Sequence, residues 1–316
     1  MTHPALTRPT RIPHTGNNAT RTRNHGKDLR QPVNFIAKTV WALSLLLPLA
    51  ACAKQEAPAK TMTNEQGCTR IRSIGPQDPY KDPPPLKQAC LGPHLLEIPQ
   101  NYFYNQIGTE HDGSYALALE YPSLEPFKPG ERMRLSVDVA ARTVMVKYDY
   151  IDRSDVEEVM RVTHSPTDSR KDRPPETLDS RVQGRPENGL TPYYADMEKV
   201  RAYYVGMGVP TDSGVMAAEE HTDWFIARDE KGVVTTVIKC TPRVVTASGV
   251  EYRNGKMVKA RGPGFAECDH TMMMPEIDTL VRMNYPREGL QQWQRIEKRS
   301  REIANDYRAG SDKEVK

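Results

Sequence analysis

The sequence predicts an α+β fold: two small lobes of antiparallel sheet, a few packed helices and an amphipathic helix at the C-terminus. Three observations carry this. A period of two runs through 132–140 and 144–150, the period of half-buried strands. Two turn signals, Asp229-Glu230-Lys231-Gly232 and Asn254-Gly255, separate runs rich in β-branched residues. From 288 to 307 the apolar residues recur at helical spacing instead. With 27% charged residues and a mean hydropathy of -0.68, a polytopic membrane protein is excluded. The 37% apolar fraction suffices for a modest core.

Residues 1–51 read as a signal peptide with a long, Arg- and Thr-rich leading region. After Lys38 the uncharged run is 13 residues, too short to span a bilayer and right for an export signal. A start at Val33 would leave a compact signal, so residues 1–32 are expected to be untranslated. Residues 52–88 read as an anchor followed by a flexible tether, with three successive prolines at 83–85. The first lobe occupies 89–165. It opens with a short strand at 91–99 and continues with strands at 114–121, 132–140 and 144–150, the last two joined through Ala140-Ala141-Arg142. A helix follows, with Ser154 as N-cap and Glu157 completing a capping box, and with Val156, Val159 and Met160 as its apolar stripe.

Residues 166–189 form a charged, Pro-containing linker or loop. The second lobe, 190–308, starts with a helix from 195 to 205 carrying Met197, Val200 and Tyr204 on one side. Strands follow at 223–228 and 233–240, then a type I′ hairpin at Asn254-Gly255, then strands at 265–274 and 277–285. The last helix places Leu290, Trp293, Ile296, Ile303 and Tyr307 on one face. Residues 309–316 are a polar tail.

Chemistry leaves little trace. There is no phosphate-cradling glycine loop, nucleophile elbow or zinc-protease helix. No catalytic residue, metal ligand or cofactor is assigned. His111-Asp112, His221 with Asp223, and Asp269-His270 place imidazoles beside carboxylates, and structural histidines are the preferred reading. Met272, Met273 and Met274 beside His270 have soft-metal chemistry, but a strand splits them between two faces and core filling explains them better. Tyr102-Phe103-Tyr104, Tyr193-Tyr194 and Tyr203-Tyr204 suit either a protein interface or packing under loops.

Leu49-Ala50-Ala51-Cys52 resembles the lipobox of bacterial lipoproteins. The resemblance implies that Cys52 is lipidated and becomes the mature N-terminus. Ala53, rather than Asp, resembles the class held on the periplasmic face of the outer membrane. Cys68, Cys90, Cys240 and Cys268 then remain as an even set in an oxidising compartment. Three connectivities exist for four cysteines. Proximity in sequence favours Cys68–Cys90 and Cys240–Cys268. The absence of CxxC spacing argues against zinc. Of the formal charge of +3, residues 1–51 hold seven Lys/Arg and one Asp, and the remainder has 37 basic and 40 acidic side chains. The exported part is therefore mildly acidic, which removes the case for nucleic acid.

The stretch Cys90-Leu91-Gly92-Pro93-His94-Leu95-Leu96-Glu97-Ile98-Pro99, followed by a two-lobed body, resembles periplasmic immunity lipoproteins that neutralise type VI secretion phospholipase effectors. That resemblance covers about ten residues and implies a protein-binding function, a toxin partner and a cleft between lobes that grips it. Contacts are expected on the charged 165–189 segment and the surface between lobes. The competing readings are an envelope enzyme or solute- or metal-binding lipoprotein using an Asp/His pair, and an envelope-assembly accessory. The enzyme reading requires His221 or His270 beside a carboxylate in a deep pocket.

Overall fold

The structure, a computed structural model, describes residues 78–105, 114–134, 136–166, 170 and 172–308. The signal segment, Cys52, Cys68, the His111-Asp112 pair and the 309–316 tail lie outside the described residues.

The first chain reversal is set by Gly92, at φ 54°, where a side chain would strike the Tyr150 ring. It joins β1 (Leu86–Leu91) to β2 (His94–Pro99) in a hairpin, and of the strand expected at 91–99 the part from His94 is β2. Next come β3 (Ser114–Glu120), β4 (Glu125–Pro126), a four-residue helix α1 (Val137–Ala140) and β5 (Thr143–Tyr150). Helix α2 (Val156–His164) follows, then β6 (Val182–Gln183), β7 (Thr191–Tyr194) and α3 (Met197–Gly206). The C-terminal half adds β8 (Asp223–Arg228), β9 (Val234–Cys240), β10 (Val250–Arg253), β11 (Lys256–Lys259), β12 (Glu267–Met274) and β13 (Thr279–Pro286). A 3-10 turn, Arg287–Gln292, leads into α4 (Trp293–Asp306).

Nine strands form one antiparallel sheet in the order β4-β3-β5-β13-β12-β9-β8-β7-β6. The α+β class is as expected, but strands from both anticipated lobes share this sheet. Val146 of β5 pairs with Met283 of β13, and the 166–189 segment connects strands of the same sheet. A strand with an apolar face is stabilised on both edges, and β5 finds β3 on one side and β13 on the other.

Alternation sorts each strand between two faces. One face buries Leu117, Val144, Val146, Tyr148, Met283, Tyr285, Met272 and Met274 under the β1–β2 hairpin and the Trp293, Ile296 and Ile303 stripe of α4. The opposite face buries Trp224, Val237, Met273 and Leu280 against Val156 and Met160 of α2. The methionine triplet is thus divided between two cores as expected. At the β10–β11 turn, Asn254 (φ 51°) and Gly255 (φ 75°) give the anticipated type I′ geometry.

Two local expectations are corrected. The described residues of 132–140 do not form a strand. Gly130, at φ 80°, starts a 3-10 turn over Glu131–Met133, and Ser136 caps α1 by accepting the Asp138 N–H at 3.2 Å. Arg132 fixes this path by donating to the carbonyls of Tyr104 (2.7 Å), Asn101 (3.3 Å) and Phe103. These local bonds outweigh an alternation that has no neighbouring strand to satisfy. At α2 the cap is Asp155, not Ser154: its carboxylate accepts the Glu157 N–H at 2.7 Å.

Cys240 and Cys268 face one another across β9 and β12, with Cα atoms 4.0 Å apart, and are disulfide-bonded. Cys90 is disulfide-bonded too. The expected pairing with Cys68 falls outside the described residues.

Candidate functional site

Helix α2 covers only part of its sheet face. Over the rest, β5, β13 and β12 present Lys147, Asp149, Arg282, Asn284, Glu267 and Asp269, with Asp269 and Arg282 exposed. Lys147 pairs with Asp149 at 2.9 Å, and Arg282 also reaches Asp149. Asn284 donates to Asp269 at 3.0 Å and to Glu267 at 3.5 Å. Asp149 is partly buried but both cations are exposed, so each pair stabilises by no more than about 1 kcal/mol and the polar ladder contributes little to folding. Glu267 and Asp269 make no ion pair among the described residues. Burial, and then the neighbouring Asp269 charge, push the Glu267 carboxyl up, against the amide of Asn284.

One end of this face deepens into a cavity of about 340 Å³. Met145, Thr143, Asn284 and Glu267 form its floor on the sheet. Tyr104, Phe265 and the 132–140 segment form its walls. The corrected segment is therefore the same one that shapes this opening. Its wall is rigidly held. Arg142 pairs with Glu120 and Glu131, each at 2.8 Å, and Asp138 accepts the Lys259 N–H at 3.0 Å.

Toward the opposite edge lies a cationic cluster. The Arg181 guanidinium sits 4.0 Å and the Lys239 ammonium 3.8 Å from the centre of the buried Trp224 ring. Arg181 donates to the carbonyls of Thr222 (2.7 Å) and Pro175 (3.1 Å), which ties the charged linker to β8. Lys239 donates to the Thr163 carbonyl at 2.8 Å. Burial, with the Arg181 charge beside it, pushes the Lys239 amine down to about 8. Its ionisation is thus harder in the folded chain than in the unfolded one. The cost is full below about pH 8 and is relieved as pH rises toward the ordinary lysine value. The stability of the protein relative to a Lys239→Met variant should therefore rise between about pH 8 and 10. Urea titrations of both at several pH values would measure it, and a difference independent of pH would contradict the assignment.

The two Asp/His pairs among the described residues do not assemble. On β12, Asp269 and His270 point to opposite faces, Asp269 outward and His270 into the core. There His270 contacts the Tyr285 hydroxyl and the Glu297 carboxylate, each at 2.9 Å, and Glu297 also accepts from Thr236 at 2.6 Å. This is a satisfied buried network holding α4 to the sheet. His221 contacts the Val215 carbonyl at 2.8 Å, whereas Asp223 accepts the Arg243 N–H at 2.8 Å. Asp223 lines a second cavity, of about 510 Å³, with Phe225, Arg243 and Arg287, and His221 is not among its walls. No group of three or more His, Cys, Asp or Glu among the described residues is arranged to hold a metal.

The tyrosine pairs divide similarly. Tyr102 packs edge-on to Tyr307, Tyr194 lies under the Arg243 guanidinium, and Tyr203 packs against Tyr204. Tyr104 is the exception, half exposed at the cavity mouth. No local pattern singles it out, because Tyr102 and Phe103 before it are both buried with no alternation.

No family model and no curated protein matches the chain. Among solved structures it is similar to Smlt3025, an immunity protein of the Stenotrophomonas maltophilia type IV secretion system. The likeness has 25% sequence identity and a TM-score of 0.62, and it covers 79% of this chain and 99% of the other.

Proposed function

We propose that this protein is an immunity protein: it binds a secreted effector and blocks its action in the cell envelope. The observation that carries the reading is the likeness just described, which extends over almost the whole of an immunity protein. The partly uncovered sheet face, with a polar ladder that contributes little to folding, is consistent with a surface kept for a partner. We further propose that the chain is exported and held at the outer membrane by lipid on Cys52, as the lipobox resemblance implies. The partner's chemistry is a separate matter. A phospholipase effector of a type VI system rests on the ten-residue resemblance around Cys90, whereas the similar solved protein serves a type IV system.

The test is co-expression with the product of the adjacent gene, exported to the periplasm. That product alone should stop growth, this chain should restore it, and the two should co-purify. Lipid release from the arrested cells would support the phospholipase assignment. A Cys52→Ser variant should leave the membrane fraction and protect less well. A harmless neighbour, or arrest unaffected by this chain, would sink the immunity reading.

A further inference from the structure

We propose that the cavity between the 131–140 segment and the sheet receives the partner protein's anchor: one tyrosine or tryptophan on an exposed loop, next to an acidic residue. This deepens the immunity reading and rests on it.

The argument begins with what folding does not explain. Tyr104 is 49% exposed and lines the opening, and Met133 and Val137, 43% and 67% exposed, belong to the segment that walls it. Clustered apolar groups in water around a depression mark an interaction site. The 131–140 segment is fixed through Arg132, Asp138 and Arg142, so the opening is preformed and little ordering cost falls on binding. A volume of about 340 Å³ lies at the small end for ligand pockets, which suits one large side chain better than a cofactor.

The lining selects the chemistry of that side chain. Tyr104, Val139, Ala140, Met145 and Phe265 provide apolar walls. At the sheet end stands Glu267, half-buried, and among the described residues its carboxylate has no cation and takes one long contact, from Asn284. An aliphatic anchor would seal this acceptor away from water without a donor, at a cost of about 1–3 kcal/mol. A lysine or arginine anchor would enter past Arg132 and Arg134. A tyrosine O–H or tryptophan N–H satisfies Glu267 while its ring fills the walls. Arg134 is exposed and makes no ion pair among the described residues, so it is free to meet a carboxylate beside the anchor.

The experiment measures binding of the adjacent gene's protein product to the full mature chain. Ala140 is exposed, so Ala140→Trp should plug the cavity with little change in thermal unfolding, and should weaken Kd by roughly 30-fold or more. Glu267→Gln, which keeps the shape, should weaken it by about ten-fold. Arg134→Ala should slow association a few-fold at low salt, with the difference vanishing at high salt. Val205→Asp, on an exposed apolar residue of α3, should change nothing. If the unaltered chain binds but Ala140→Trp and Glu267→Gln bind equally well, the anchor assignment is overturned and the immunity reading stands. If the unaltered chain does not bind, both fall together.

Discussion

Replacing Trp224 with alanine should destabilise the protein by about 4 kcal/mol, within the usual range for a buried tryptophan. The side chain is fully buried on β8 and packs with Val237, Met273 and Leu280 against Val156 and Met160 of α2. Its indole N–H donates to Thr222 at 3.0 Å. Its ring also lies beside two cations, Arg181 and Lys239, which the substitution would leave facing a void. The loss therefore reaches beyond packing: Arg181 anchors the 174–181 stretch of the linker, which should become sensitive to protease. Trp224→Phe keeps most of the burial and should cost about half as much. Urea denaturation with limited proteolysis checks both parts. A loss below about 1 kcal/mol, or an unchanged cleavage pattern, would refute this account of the cluster.

The second large effect is loss of the Cys240–Cys268 bond. It joins residues 28 apart in sequence, and the chain-entropy model gives roughly 3.5 kcal/mol for a loop of that length. Both sulfurs lie in the core shared by β9 and β12, so the double variant Cys240→Ala/Cys268→Ala creates no exposed thiol. Its denaturation midpoint in urea should fall, with a slightly steeper slope because the unfolded chain is no longer cross-linked. Single substitutions should be worse, because each leaves one buried thiol open to exchange with Cys90 or Cys68 during oxidative folding. If the double variant matched the parent within experimental error, the register of β9 against β12 would be held by the sheet alone.

Much of the fold could be read from local pattern. The strands at 144–150, 223–228 and 233–240 and the face of the last helix stand within a residue or two of expectation. In each, one period persists long enough for burial to dominate. The 132–140 segment shows the converse. Its alternation is as regular, but alternation makes a strand only when a second strand is available, and the capping of Ser136 and the three carbonyls around Arg132 decide otherwise. The candidate site was not legible, because its floor comes from β5, β12 and β13 and its walls from residues 104, 132–140 and 265. Asp269 and His270 show the opposite limit: residues adjacent in sequence are separated by the alternation of β12.

Taken alone, the sequence determined the α+β class, most strand positions and the Asn254-Gly255 turn. Each depends on interactions within a few residues or on a period that burial enforces. Tertiary structure alone decided that β5 joins β13, making one sheet of two anticipated lobes, and that α2 covers only part of one face. Strand order and helix coverage are set by long-range packing of surfaces, and no local pattern records which surface is left uncovered.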